Sequence, residues 1–135
     1  MMEKFKGIFP ALLTPFDKND NVNKDVLRRI TEYNLQKGVD GFYVDGSTAE
    51  AFLLSEKERL EVLETVSDVA KGKATLIAHI GCISTKQAIE LAKEAKEMRE
   101  VTELAKAIAE HKSDPKEVAE AIAEYLNKNN QTNKD

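Results

Sequence analysis

A short apolar run that ends in small and hydroxyl-bearing residues most constrains how this chain can fold. Its sequence, over residues 41–50, is GFYVDGSTAE. Residues 42–44, Phe-Tyr-Val, are strand formers bounded by glycines, which predicts a buried strand. Residues 46–48, Gly-Ser-Thr, then predict a turn at the carboxyl end of that strand. In α/β folds this is the end at which ligand-binding groups are found.

Two further apolar runs, residues 7–16 and 74–81, predict strands before and after this one. The first run is almost free of polar side chains, as expected for a strand that is buried on both faces. Pro10 has no N–H, so we expect it at an edge or a bulge. Amphipathic segments 23–37 and 55–71 lie between the strands and predict helices. Strands that alternate with helices indicate a parallel sheet with right-handed crossovers.

The predicted helices have recognisable ends. Asn23 is a favourable first cap, and Gly38 can stop the helix that follows it. Ser55 and Glu58 have the spacing of a capping box, in which each side chain bonds the backbone of the other residue. Ser84 or Thr85 can start a third helix.

The third helix has no obvious end near residue 98. Apolar residues continue at spacings of three or four through residues 91–108, which predicts one long helix. Asp114-Pro115 then predicts the start of a last helix over 114–126, and residues 127–135 form a polar tail. We therefore expect a single α/β domain over residues 1–126, in which residues 99–126 are an added helical segment.

Composition excludes several classes of protein. The chain has 135 residues, 41% of them apolar and 33% charged, and a net charge of −4. Nucleic acid and anionic membrane surfaces are disfavoured partners because no basic block is present. No apolar run reaches the roughly 20 residues of a membrane span. The single cysteine excludes an intrachain disulfide and predicts a reducing, cytoplasmic location.

Three ordered motifs carry a resemblance to a known family. They are GIFPALLTPF at residues 7–16, GSTAEAFLLS at 46–55 and LIAHIGC at 76–82. Together they resemble the dihydrodipicolinate synthase/N-acetylneuraminate lyase family of class I aldolases on the (β/α)8 barrel. A whole barrel typically needs roughly 250 residues. The resemblance, over residues 5–98, therefore implies a three-stranded parallel βαβαβα fragment followed by C-terminal helices.

The segment after residue 98 departs from the family, in which a fourth strand would follow. Residues 99–126 are rich in Ala, Glu, Lys, Leu and Ile and have favourable helix-capping residues. Both features are typical of idealised designed helices. We interpret the chain as a chimera or designed fragment; the alternative is a natural truncated paralogue with a diverged tail.

The resemblance also implies a site. In the family a lysine of the sixth strand forms a Schiff base with pyruvate, a tyrosine of the fifth strand moves protons, and the Gly-Ser-Thr turn holds the pyruvate carboxylate. Ser47 and Thr48 would hold that carboxylate here, with Thr14 nearby. The alternative is that the two hydroxyls only satisfy the turn.

Two departures favour that alternative, because the family has small residues, usually glycine, at the positions of Asp45 and Ala49. An Asp45 carboxylate would repel the carboxylate of a substrate, and Ala49 would resist a positive φ.

The sequence gives little support for metal binding or for catalysis by another lysine. His79 and Cys82 do not make a metal-ligand set, so we predict no metal and no cofactor. Lys73 lies at the amino end of its predicted strand, away from the ligand-binding end. No residue of this chain is therefore predicted to be catalytic.

These predictions leave three candidate functions. The first is a non-catalytic scaffold, derived from a lyase barrel fragment and lacking the Schiff-base lysine. The second is a protein with a residual 2-oxo-acid carboxylate site at Ser47 and Thr48. The third is an oligomerisation module. A parallel sheet needs cover on both faces, so the chain could form a homo-oligomer through its bare sheet face or its edges.

Overall fold

The computed structural model describes residues 5–110, with the side chains of residues 5–98. The elements in chain order are α1 (Lys24–Gln36), β1 (Gly41–Val44), two short 3-10 turns (Ser47–Ala49 and Ala51–Leu53), α2 (Glu56–Ala70), β2 (Thr75–Ala78) and α3 (Thr85–Glu110). The predicted α/β class is confirmed.

The sheet joins β1 and β2 in parallel. The register runs from Gly41 opposite Thr75 to Val44 opposite Ala78. Because α2 connects the two strands, β1, α2 and β2 form the predicted strand-helix-strand unit. The carboxyl ends of the two strands therefore lie side by side, and the segments that follow them meet at one edge of the sheet.

The prediction of a third strand over residues 7–16 needs correction. Only Ala11 pairs with β1, through a parallel bridge to Tyr43. The Tyr43 amide donates to the Pro10 carbonyl at 2.9 Å, and the Gly41 amide donates to the Ile8 carbonyl at 3.2 Å. The next bond of a parallel ladder would require an N–H at position 10, which proline lacks. The segment thus runs beside β1 without becoming a strand.

The core lies between β1 and the two helices that flank it. Phe42 and Val44 of β1, Leu27 of α1 and Val66 of α2 are each 0% exposed. Helix α1 packs against α2, and α2 packs against both strands. Successive strand residues point to opposite faces, so Tyr43 lies on the face away from Phe42 and is only half-buried.

The helix ends agree with the sequence predictions. The Asn23 side chain accepts a hydrogen bond from the Val26 amide at 3.1 Å. Gly38 follows the end of α1 at φ 80°, a left-handed conformation that glycine adopts without steric cost. The reciprocal bonds of the capping box between Ser55 and Glu58 are both present.

Helix α3 confirms the prediction of one long helix, because it runs from Thr85 to Glu110 without interruption. The chain divides into two compact units, with the boundary between Ala95 and Lys96 inside this helix. The predicted helix over 114–126 and the polar tail over 127–135 lie outside the described residues. The single domain over 1–126 therefore stays a prediction.

Candidate functional site

The turn after β1 presents donors without partners. Ser47 and Thr48 are exposed at the start of a single 3-10 turn. Among the described residues, neither the amide nor the hydroxyl of either one has a hydrogen-bond partner. Adjacent amides and hydroxyls that point to solvent can bind an anion such as a carboxylate. The hydroxyls do not cap the turn, which was the alternative role suggested by the sequence.

The other amides of the turn are used to hold its shape. The Ala49 amide donates to the Gly46 carbonyl at 3.1 Å, and the Glu50 amide donates to the Ser47 carbonyl at 3.0 Å. Position 46 requires glycine because a Cβ there would clash with the ring of Tyr43. The turn is therefore shaped by its own backbone and by a side chain of β1.

Thr14 lies at the turn, as the resemblance implied. Its hydroxyl group supports the backbone of the turn. Its hydroxyl donates to the Ala49 carbonyl at 2.8 Å, and the residue is buried. A hydroxyl has one proton, and a bound carboxylate needs a donor. In this arrangement the hydroxyl proton of Thr14 is used to support the turn.

The strained backbone positions of the turn differ from those that the sequence suggested. Ala49 lies in the 3-10 turn and does not have a positive φ, so the expected strain at this residue does not arise. Asp45 and Glu50 adopt φ 59° instead. Aspartate tolerates the left-handed region better than most residues do. The two left-handed residues therefore bracket the segment that carries Ser47 and Thr48.

Asp45 places a carboxyl group in the interior at this edge of the sheet. The residue is 3% exposed, and its Oδ1 atom has no hydrogen-bond partner among the described residues. Burial raises the pKa of Asp45 from 3.8 to about 7, while the charge of Arg59 acts in the opposite direction. The carboxyl group therefore changes charge near neutral pH.

Arg59 connects helix α2 to the loop after β2, and it is not among the residues predicted from the sequence. The side chain is 4% exposed. Its Nη1 donates to the Gly81 carbonyl at 2.8 Å, and its Nη2 donates to the His79 carbonyl at 2.7 Å. A signal was available, because Arg59 precedes Val62 and Val66 at helical spacing and thus falls on the buried stripe of α2. A charged residue on such a stripe needs buried partners.

His79 links the ends of the two strands. Its Nδ1 lies 2.8 Å from the Asp45 carbonyl, which can only accept, so Nδ1 carries the proton. The 3.4 Å approach of Arg59 Nη2 to the same nitrogen is then a contact between two donors. His79 follows the last residue of β2, and its ring is held by this hydrogen bond. The rings of Tyr43 and Phe52 each lie 6.1 Å from the His79 ring.

Three further observations on the described part of the chain concern metal ions, the cysteine and membrane spans. No group of three or more His, Cys, Asp or Glu side chains converges there in a way that could hold a metal ion. Cys82 is a free thiol, with its Sγ 3.5 Å from Arg59 Nη1. None of the helices in that part is long and apolar enough to cross a bilayer.

A parallel strand-helix-strand unit is typical of α/β proteins, whose ligand-binding sites lie at the carboxyl ends of the strands. The model of the dihydrodipicolinate synthetase family matches residues 4–103. The chain belongs to that family.

The individual proteins that the chain resembles include N-acetylneuraminate lyases and a sialic acid aldolase. It is 50% identical over 95 residues to an N-acetylneuraminate lyase of an Enterobacter species, with 70% of this chain and 32% of that protein covered. A solved N-acetylneuraminate lyase of Mycoplasma synoviae is 41% identical, with a TM-score of 0.68 over 73% of this chain and 34% of that one. A catalytic lysine mutant of the sialic acid aldolase of Ruminococcus gnavus is 42% identical, with a TM-score of 0.69 over 73% of this chain and 32% of that one.

The predicted resemblance is therefore confirmed, and with it the kinship to (β/α)8 barrel enzymes. The chain spans about a third of the length of the curated relatives that it matches, with 32% of the Enterobacter protein covered. Helix α3 continues beyond residue 103, where the family match ends.

Proposed function

We propose that this chain is a non-catalytic scaffold of the family and does not act by itself as a Schiff-base lyase. One observation carries the proposal: every lysine among residues 5–98 is exposed to solvent. A lysine that forms an imine at neutral pH must be neutral, and burial or a neighbouring cation is what lowers its pKa. None of the lysines among residues 5–98 has the burial that would activate it in this way.

The position of Lys73 supports the same conclusion. It precedes β2 at the amino end of the strand, whereas Ser47 and Thr48 follow the carboxyl end of β1. The two strands are parallel, so Lys73 lies at the amino ends of the strands and the turn lies at their carboxyl ends. A 2-oxo acid held by the turn would not reach this amine.

We expect no imine between this chain and pyruvate. The protein is incubated with pyruvate and borohydride, which reduces any imine to a stable adduct, and the intact mass is then measured. An N-acetylneuraminate lyase treated in parallel serves as the positive control. An unchanged mass supports the scaffold proposal. A stoichiometric adduct on one lysine would overturn it, because that amine would then be activated.

A second candidate function, binding of a 2-oxo-acid carboxylate, is favoured by the free donors of the turn. The amides and hydroxyls of Ser47 and Thr48 have no partner among the described residues, and both residues are exposed. Hydrogen bonds to an ionised acceptor contribute about 1.5–3 kcal/mol each. A few such bonds are enough for weak binding that needs no catalytic lysine.

Removal of the two hydroxyls is expected to weaken pyruvate binding at least about tenfold, since the loss of even one hydrogen bond to a charge costs about 1.5 kcal/mol or more. The variant is Ser47→Ala with Thr48→Val, and binding is measured by NMR from the shifts of the amides of the turn. Ser67→Ala, on α2, is the control and should bind as the parent does. Equal binding by the double variant would contradict the role of the hydroxyls.

Assembly is a further proposal. Leu13 is 59% exposed and Ile83 is 98% exposed, and large apolar side chains in solvent favour association. A homo-oligomer that covers such surfaces would make the chain an oligomerisation module, and its molar mass in solution tests this.

A cytoplasmic location and an origin as a chimera or designed fragment also stay predictions.

A further inference from the structure

Asp45 stands at the base of the turn that carries Ser47 and Thr48. Its side chain is almost fully buried, and Oδ1 has no partner among the described residues. An ionised carboxyl in such a place lacks the donors that normally stabilise it. The neutral acid is therefore the form that this surrounding favours.

The carboxyl group is close enough to the turn for its charge to matter. Asp45 and Ser47 are two residues apart, which limits their Cα separation to about 7 Å. An anion on the Ser47 amide would therefore lie on the order of 10 Å from the backbone of Asp45. At that range, between a buried carboxylate and an anion at the protein surface, repulsion weakens binding by up to about tenfold.

The surrounding titratable groups do not cancel this charge. Arg59 faces Asp45 from α2 but gives its hydrogen bonds to the carbonyls of His79 and Gly81. His79 faces it from the end of β2 and donates to the Asp45 carbonyl, away from the carboxyl group. Glu50 is the other acid of the turn and is exposed. Burial outweighs the charge of Arg59 and holds the pKa of Asp45 at about 7.

We propose that Asp45 controls anion binding at this turn: Ser47 and Thr48 accept a carboxylate ligand, such as a 2-oxo acid, when Asp45 is protonated and reject it when Asp45 is ionised. This inference rests on the proposed carboxylate site. It makes Asp45 a determinant of when the site binds, through its charge and without contact with the ligand.

The test measures pyruvate binding at about pH 5.5 and about pH 8, on either side of the carboxyl titration. Pyruvate stays ionised at both values, so only the protein changes charge. The chain itself should bind about tenfold more weakly at the higher pH. Asp45→Asn, which is neutral and similar in shape, should bind equally at both. Glu50→Gln is the matched control, because it removes an exposed acid at the same φ of 59°, and it should keep the pH dependence.

Three outcomes are distinguishable. Loss of the pH dependence in Asp45→Asn alone supports the inference. The same pH profile in the parent and in Asp45→Asn overturns the role of Asp45 and leaves the carboxylate site in place. Binding by none of the proteins at either pH overturns both the carboxylate site and the inference that rests on it.

Discussion

Asp45→Asn is expected to stabilise the protein by roughly 4 kcal/mol above pH 7. The pKa of Asp45 is about 7 in the folded chain, against an ordinary value of 3.8. About three units at 1.36 kcal/mol per unit give this figure. The folded state binds the proton more tightly than the unfolded state does. The stability that this proton contributes is therefore complete below about pH 4 and lost as pH rises through about 7.

The measurement is urea unfolding of both proteins from about pH 4 to about pH 8. The gain in Asp45→Asn should be near zero at the acid end and reach a plateau above neutral pH. Asp20→Asn is the matched control, because Asp20 also has a left-handed backbone, at φ 63°, but is exposed. A constant difference between parent and Asp45→Asn across the range would contradict the buried titration.

Arg59→Met is expected to cost about 3–5 kcal/mol of stability. The guanidinium group makes two charge-assisted hydrogen bonds, to the carbonyls of His79 and Gly81, and hydrogen bonds to charged groups contribute about 1.5–3 kcal/mol each. Methionine keeps part of the apolar stem but leaves both carbonyls without this donor. The loop after β2 should therefore loosen together with the global loss of stability. Urea unfolding measures the loss.

The control for this variant is Arg28→Met. Arg28 forms an ion pair with Asp68 at 3.2 Å, and both side chains are about half exposed. Exposed ion pairs contribute about 0–1 kcal/mol, so the change should be small. Equal losses in the two variants would contradict a larger contribution from the buried guanidinium group of Arg59. A change at Arg59 within about 1 kcal/mol would contradict its proposed role in the core.

The sequence predicted the helices and the turn because their signals are local. The cap at Asn23, the stop at Gly38 and the capping box at Ser55 each involve residues within one turn of helix. The extent of the first strand could not be predicted in the same way. Whether Pro10 interrupts pairing depends on which carbonyl of β1 lies opposite it, and this is a property of register between distant segments.

The candidate site was predicted in part for the same reason. Ser47 and Thr48 stand out as a short motif after a strand, whereas the function of Arg59 depends on contacts with residues 79 and 81 that only the fold creates. The sequence identified Asp45 as a source of repulsion. Its burial, which decides the charge that it carries, required the structure.

The bonds from Arg59 and His79 have a consequence for the order in which the protein can form. His79 reaches back 34 residues to the Asp45 carbonyl, and Arg59 reaches forward 22 residues to Gly81. A growing chain that has not yet reached residue 81 already holds the bond from Thr14 to the Ala49 carbonyl, but it lacks the partners that join the end of β1 and helix α2 to the loop after β2. Contacts between residues so far apart in sequence are slow to form because loop closure comes first. During synthesis, the connection between the end of β1 and the loop after β2 would therefore form only once the second strand has been made.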